Sequence, residues 1–201
     1  MSNVRSHRRI FTSPRAMLTT SNIFPLLVPS SWVRGVGIDS LVCKSLASDL
    51  HWVLVSETGS TVKNIHPASL AQEGLSVEEA LEHAAANHHS AWNDGRFRVG
   101  FSRSQEGLQF GVADGSWMAP PVLLNPRFYE LMSRYLRSKE LVAVVPNQEL
   151  LLVVPNRPEC VGSAHFARLI AEGRQHPKPV SEARLLLSGG FPSEIVAPSG
   201  T

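Results

Sequence analysis

Cysteine is scarce in this chain. Only Cys43 and Cys160 occur in 201 residues, far apart and too few for a disulfide framework. That favours a reduced, cytoplasmic protein. Long apolar runs are absent too. Residues 23–28 are apolar but interrupted by Pro25, well short of the roughly 18 residues a membrane-spanning helix requires. Charge is nearly balanced, at 19 basic against 17 acidic residues and a net +2. A dedicated nucleic-acid binder shows a larger basic surplus, so nucleic acid is not the expected partner. No phosphate loop, dinucleotide fingerprint or Gly-x-Ser-x-Gly elbow is present. Ser188-Gly-Gly190 is a lone glycine turn. The sequence therefore assigns no catalytic residue, no cofactor site and no metal site.

What is present is hydrophobic patterning, strongest over residues 141–156. Two apolar runs, residues 141–145 and 150–154, flank the polar break Asn147-Gln-Glu149. Pro146 and Pro155 stop the two runs, because proline cannot donate to a sheet ladder. The spacing predicts a hairpin. Val142 and Val144 point one way, Ala143 and Val145 the other. Apolar residues on both faces predict a central hairpin covered on both sides.

The rest of the chain falls into order around that hairpin. Residues 50–56 and 61–65 read as strands joined by a turn at Gly59. Ser76-Val-Glu-Glu79 is a capping box opening a helix over residues 77–91. Phe97, Val99 and Phe101 alternate with Arg96 and Arg98, and Leu108, Phe110 and Val112 alternate on the returning strand, so this hairpin is expected to keep one wet face near a sheet edge. Asn125 caps a helix with Pro126 at its first position, carrying a stripe of Phe128, Leu131, Met132, Tyr135 and Leu136. Phe166, Leu169 and Ile170 predict a third helix, ended by Gly173. The whole predicts an α+β fold: a mostly antiparallel sheet from three successive hairpin–helix (ββα) units, with helices packed on it. The expected organisation is a basic, loosely ordered segment over residues 1–48, one domain over 49–187 and a flexible tail over 188–201. Residues 1–38 hold Arg5, Arg8, Arg9, Arg15 and Arg34 and no acid. That composition fits a transit peptide, a basic arm, or an extension upstream of a start at Met17.

Several stretches also resemble a known family. They are Asp49-Leu-His-Trp-Val-Leu-Val55, Gly74-Leu-Ser-Val-Glu-Glu-Ala-Leu81 running on to Ala86-Asn87, Asp114-Gly115 leading into Val122-Leu-Leu124, Leu141-Val-Ala-Val-Val-Pro-Asn147 with Leu150-Leu151, and Lys178-Pro-Val-Ser181. Over residues 49–187 their order resembles the YtpQ-like family of uncharacterised bacterial proteins, a domain of unknown function. The resemblance implies a fold and a cytoplasmic address, and no activity.

Chemistry-bearing residues are scattered. His83 and His88 are five apart, so on a helix they diverge by about 140° and miss the four-residue spacing of a helical zinc pair. Cys160 and His165 meet as a nucleophile pair only if the fold brings them together, and a buried structural cysteine is the simpler reading. The loop over residues 114–121 is the longest polar–aromatic connection. Asp114, Ser116, Trp117 and Met118 are its candidate interaction residues, because aromatic residues and methionine are enriched at interfaces and loops on rigid scaffolds carry function. The competing reading has Trp117 and Met118 closing the core. Function is thus expected to be non-enzymatic, a protein-binding or regulatory domain with an unidentified protein partner. A hydrolase or transferase with a site formed only in three dimensions, and nucleic-acid binding through the N-terminal arm, are the alternatives.

Overall fold

Two antiparallel sheets, each apolar on more than one face, share one large core. The computed structural model describes residues 18–105 and 107–195. The first sheet is built on β3 (Leu50–Thr58). β1 (Ile23–Pro29) pairs along one of its edges, with Leu27 opposite Trp52 and Pro25 opposite Leu54. β2 (Cys43–Ala47) and β4 (Thr61–Asn64) share its other edge. Pro25 is tolerated because β1 is an edge strand with no second neighbour to bond.

The second sheet has six strands. Its order is β10 (Ser193–Glu194), β9 (Leu185–Leu187), β7 (Leu141–Asn147), β8 (Leu150–Pro155), β6 (Gln109–Asp114) and β5 (Arg98–Arg103). The β7–β8 hairpin is central, as its two apolar faces require. Leu141, Ala143 and Val145 join Leu151 and Val153 in the core shared with the first sheet. Val142, Val144, Leu152 and Val154 form a second cluster with Cys160 and Phe166, which belong to α5 (Pro158–Val161) and α6 (Ala164–Arg174).

The helices begin where the capping chemistry places them. α1 (Ser30–Val36) lies between β1 and β2, α2 (Pro67–Gln72) and α3 (Val77–Asn93) between the two sheets in sequence, and α4 (Pro126–Leu136) between β6 and β7. At the start of α3 the Glu79 N–H donates to Ser76 Oγ at 3.1 Å, and the Ser76 N–H donates to Glu79 Oε2 at 2.8 Å. Each bond satisfies a donor the helix itself leaves unpaired. Ala80, Ala84, His88 and Ala91 form the buried face of α3, and the small alanines let it pack on β1. Asn125 Oδ1 accepts from the Arg127 N–H at 3.0 Å and caps α4.

Five expectations change. Residues 20–47 are not loosely ordered: they form β1, α1 and β2, and Ile23, Phe24 and Leu27 are core residues. The arginine-rich composition belongs to the preceding stretch, and the readings of residues 1–16 and of Met17 lie outside the described residues. The tail contributes β10 and Phe191, so the fold extends past residue 187. The β5–β6 hairpin is less wet than alternation suggests, because Gly111 and Ala113 are buried on the face opposite Phe110. Alternation is blind to that face, since glycine and alanine read as neutral. The α4 stripe is narrower than predicted: Phe128, Met132 and Leu136 are buried, while Leu131 and Tyr135 are exposed. Gly173 also sits inside α6 and does not end it. A Cβ there would lie 2.8 Å from Pro146 Cβ, so glycine serves close approach to the β7–β8 turn. Asn147 Nδ2 bonds the Gly173 carbonyl at 2.8 Å across the same contact.

Candidate functional site

The 114–121 loop folds inward. Asp114 closes β6 and accepts from Arg98 Nε at 2.9 Å. Ser116 Oγ accepts from the Met118 N–H at 3.3 Å. Met118 has no exposed surface, so it offers a partner nothing and leaves the set of candidate contact residues. Trp117 is partly buried and meets the Phe24 ring edge-on, with centroids 6.1 Å apart. The chain then forms a 3-10 turn over Pro120–Leu124 and enters α4.

His88 holds this loop in place. Its Nε2 donates to the Met118 carbonyl at 2.7 Å, and its ring stacks on Phe97 with centroids 5.1 Å apart. That bond puts the proton on Nε2 and leaves the Nδ1 lone pair unprotonated. Burial pushes the imidazole below its ordinary range, and neighbouring His89 adds to this. The bond to Met118 opposes both. His88 is thus a neutral tie between α3 and the loop, not one of a ligating pair with His83.

The same histidine stands in the wall of a cavity of about 510 Å³. Its floor is the first sheet: Pro25 from β1, Lys44 from β2, Trp52 and Leu54 from β3. α3 supplies one wall through Leu81, Ala84, Ala85, His88 and His89. Pro121, Leu124, Asn125, Pro126 and Arg127 supply another, and Phe191 from the C-terminal segment completes it. Trp52 and Leu54 share a strand face by the two-residue repeat, and Pro25 lies opposite Leu54. The cavity's size and largely apolar walls with a few polar groups match small-molecule sites.

Several hydrogen-bond donors belong to its wall residues. Trp52 is 7% exposed, and its Nε1–H is buried without a hydrogen-bond partner among the described residues. A buried donor left unpaired costs roughly 1–3 kcal/mol. Around His89, three further donor groups converge on one ring. Arg127 Nη1 lies 2.7 Å from Nε2, Asn93 Nδ2 lies 3.2 Å from Nε2, and Asn125 Nδ2 lies 3.4 Å from Nδ1. The Lys44 ammonium sits over the Phe191 ring, 4.4 Å from its centroid. The segment bearing Phe191 is anchored by Glu194, whose carboxylate accepts from both the Ser48 N–H at 2.8 Å and the Ser48 hydroxyl at 2.9 Å.

Elsewhere the arrangement argues against nucleophilic chemistry. Ser30 Oγ lies 3.0 Å from His51 Nδ1, but it also lies 3.0 Å from the Ser48 carbonyl, to which it donates its proton. Burial raises the Cys43 and Cys160 thiols above their ordinary range, the reverse of what a thiolate nucleophile needs. His165 Nδ1 is engaged by Arg168 at 2.8 Å. Among the described residues no three His, Cys, Asp or Glu side chains gather in a metal-holding group, and no helix is long and apolar enough to cross a membrane.

Sequence reasoning reached His88 and His89 as helix residues and Trp52 as a strand residue, without joining them. The one signal available was the capping box, which fixes the phase of α3 and so puts Leu81, Ala84 and His88 on one face. That this face meets Trp52 and Arg127 depends on pairings between distant strands. No family model, no curated protein and no solved structure matches the chain.

Proposed function

We propose that this chain is a non-enzymatic binding domain, and that it binds a small molecule with a largely apolar body in the cavity between the first sheet, α3 and the start of α4. The observation that carries this reading is an apolar cavity of about 510 Å³ whose wall includes Trp52 with its indole N–H unpaired among the described residues. An apolar occupant would fill the space against the Trp52 ring and Leu54. A protein partner meeting Trp117 is the second reading, supported by the partial exposure of that residue. The YtpQ-like resemblance rests on sequence motifs and implies no activity, so it does not select between the two.

The test uses N-phenyl-1-naphthylamine, a neutral apolar fluorophore. Wild-type protein is expected to bind it saturably, at one site per chain. Ala85 lines the cavity and is exposed to solvent, so Ala85→Trp fills space without rebuilding the core. It should abolish that binding while the melting temperature holds. Absence of saturable binding to wild type, or unchanged binding to Ala85→Trp, overturns the proposal.

A further inference from the structure

The geometry points to the chemical class of the occupant: an amphiphilic carboxylate, with its anionic head at the His89–Asn125–Arg127 corner and its apolar body over Trp52 and Leu54. This rests on the cavity being a binding site, and goes further by assigning the head.

The corner holds more hydrogen-bond donors than acceptors. A neutral imidazole has one unprotonated nitrogen, and an imidazolium has none. His89 nevertheless faces Arg127 Nη1, Asn93 Nδ2 and Asn125 Nδ2 at 2.7, 3.2 and 3.4 Å. If Arg127 donates to Nε2, then Nδ1 carries the proton and points at an amide N–H₂. Turning the Asn125 amide over does not relieve this, because its Oδ1 is already committed to the Arg127 backbone N–H. Turning the Asn93 amide over would put its oxygen at Nε2, which then needs the proton that Arg127 forbids. With the His89 ring as it stands, at least one donor–donor contact persists at this corner whichever way the amides are set. An oxyanion relieves it, because both carboxylate oxygens accept and neither donates.

Charge agrees with the hydrogen bonding. The two formal charges on the cavity wall, Lys44 and Arg127, are both positive, and no carboxylate lines it among the described residues. Neither cation makes an ion pair among those residues. Glu130 lines the adjoining cleft with His89 and Arg127 and is not part of the cavity lining. A guanidinium bonded to a carboxylate is among the stronger polar contacts available to a protein. An apolar body is required because the rest of the lining is largely apolar.

The experiment displaces N-phenyl-1-naphthylamine with three C12 amphiphiles, all below their micelle concentrations: dodecanoate, dodecyltrimethylammonium and the neutral dodecyl maltoside. Dodecanoate should displace the fluorophore at least about tenfold more tightly than either of the others, the span expected of one charge-assisted contact. Arg127→Gln should remove most of that preference, read as the ratio of the three displacement constants within the variant, so that any change in fluorophore affinity cancels. Equal displacement by the three amphiphiles, or a dodecanoate preference that survives in Arg127→Gln, overturns the head assignment while leaving the cavity a binding site. Failure of the fluorophore itself to bind is a different result, and overturns the underlying reading instead.

Discussion

His88 couples the stability of the fold to pH through one bond. His88→Phe keeps the ring volume and the stack on Phe97 but removes the donor to the Met118 carbonyl. Met118 is fully buried, so that carbonyl loses its protein partner in a dry setting, at a cost of about 1–3 kcal/mol. The pH dependence follows from the direction of the shift. Burial holds the folded His88 below its ordinary value of 6.5. Above that value the histidine is neutral in both folded and unfolded chains, and its contribution is fully present. As pH falls below 6.5, the unfolded chain takes up a proton that the folded chain refuses. Stability is then lost at up to about 1.4 kcal/mol per pH unit until the folded value is reached. His51 is shifted the same way by burial and Arg34, but it is present in both proteins and cancels in their difference. Urea unfolding at pH 7.5 and 5.5 is the assay. The variant should be less stable by about 1–3 kcal/mol at pH 7.5, and the gap should narrow by up to about 1.4 kcal/mol at pH 5.5. A gap that is constant or wider at pH 5.5 would refute the argument.

Other perturbations test other links. Val144→Asp places an unpaired charge beneath α6, where Val144 has no exposure, and should cost at least about 3 kcal/mol in a urea melt. Gly173→Ala should lower the melting temperature: overpacking against Pro146 costs about 1–3 kcal/mol, which exceeds the gain of up to about 1 kcal/mol in helix propensity. Arg137 ends α4 in the left-handed region at φ 51°, so Arg137→Gly should stabilise the protein by about 0.5–1 kcal/mol, read as a raised urea midpoint. Cys160 should resist iodoacetamide in the native state at pH 7.5 and react only on unfolding, since burial both covers the thiol and raises its pKa.

Elements whose information is local were legible in the sequence. Ser76 and Glu79 announced α3, Asn125 and Pro126 announced α4, and the doubly apolar runs at 141–154 announced a central hairpin. Each depends on residues within one turn or one strand. What was not legible depends on distant partners. β1 looked like an ambiguous apolar stretch beside an arginine-rich leader, and only pairing with β3 along its whole length makes it core. Phe191 looked like part of a fraying tail, and Glu194 bonding to Ser48 is what holds that segment down. The cavity is the extreme case: its lining comes from β1, β2, β3, α3, the start of α4 and the C-terminal segment. No spacing rule links those residues. The 114–121 loop shows the opposite error. Trp117 and Met118 are interface-type residues, yet His88 draws Met118 into the core through its carbonyl, a bond that no side-chain pattern reports.

The most direct measurement follows the indole N–H groups in a ¹H–¹⁵N spectrum as dodecanoate is added. The chain has four tryptophans, and Trp52→Phe identifies the Trp52 signal by its loss. Occupancy of the cavity by an acceptor-bearing amphiphile should shift the Trp52 Nε1–H saturably and in step with fluorophore displacement, while Trp32, which is not part of the cavity lining, stays fixed. A Trp52 resonance that does not move while dodecanoate binds would contradict the account.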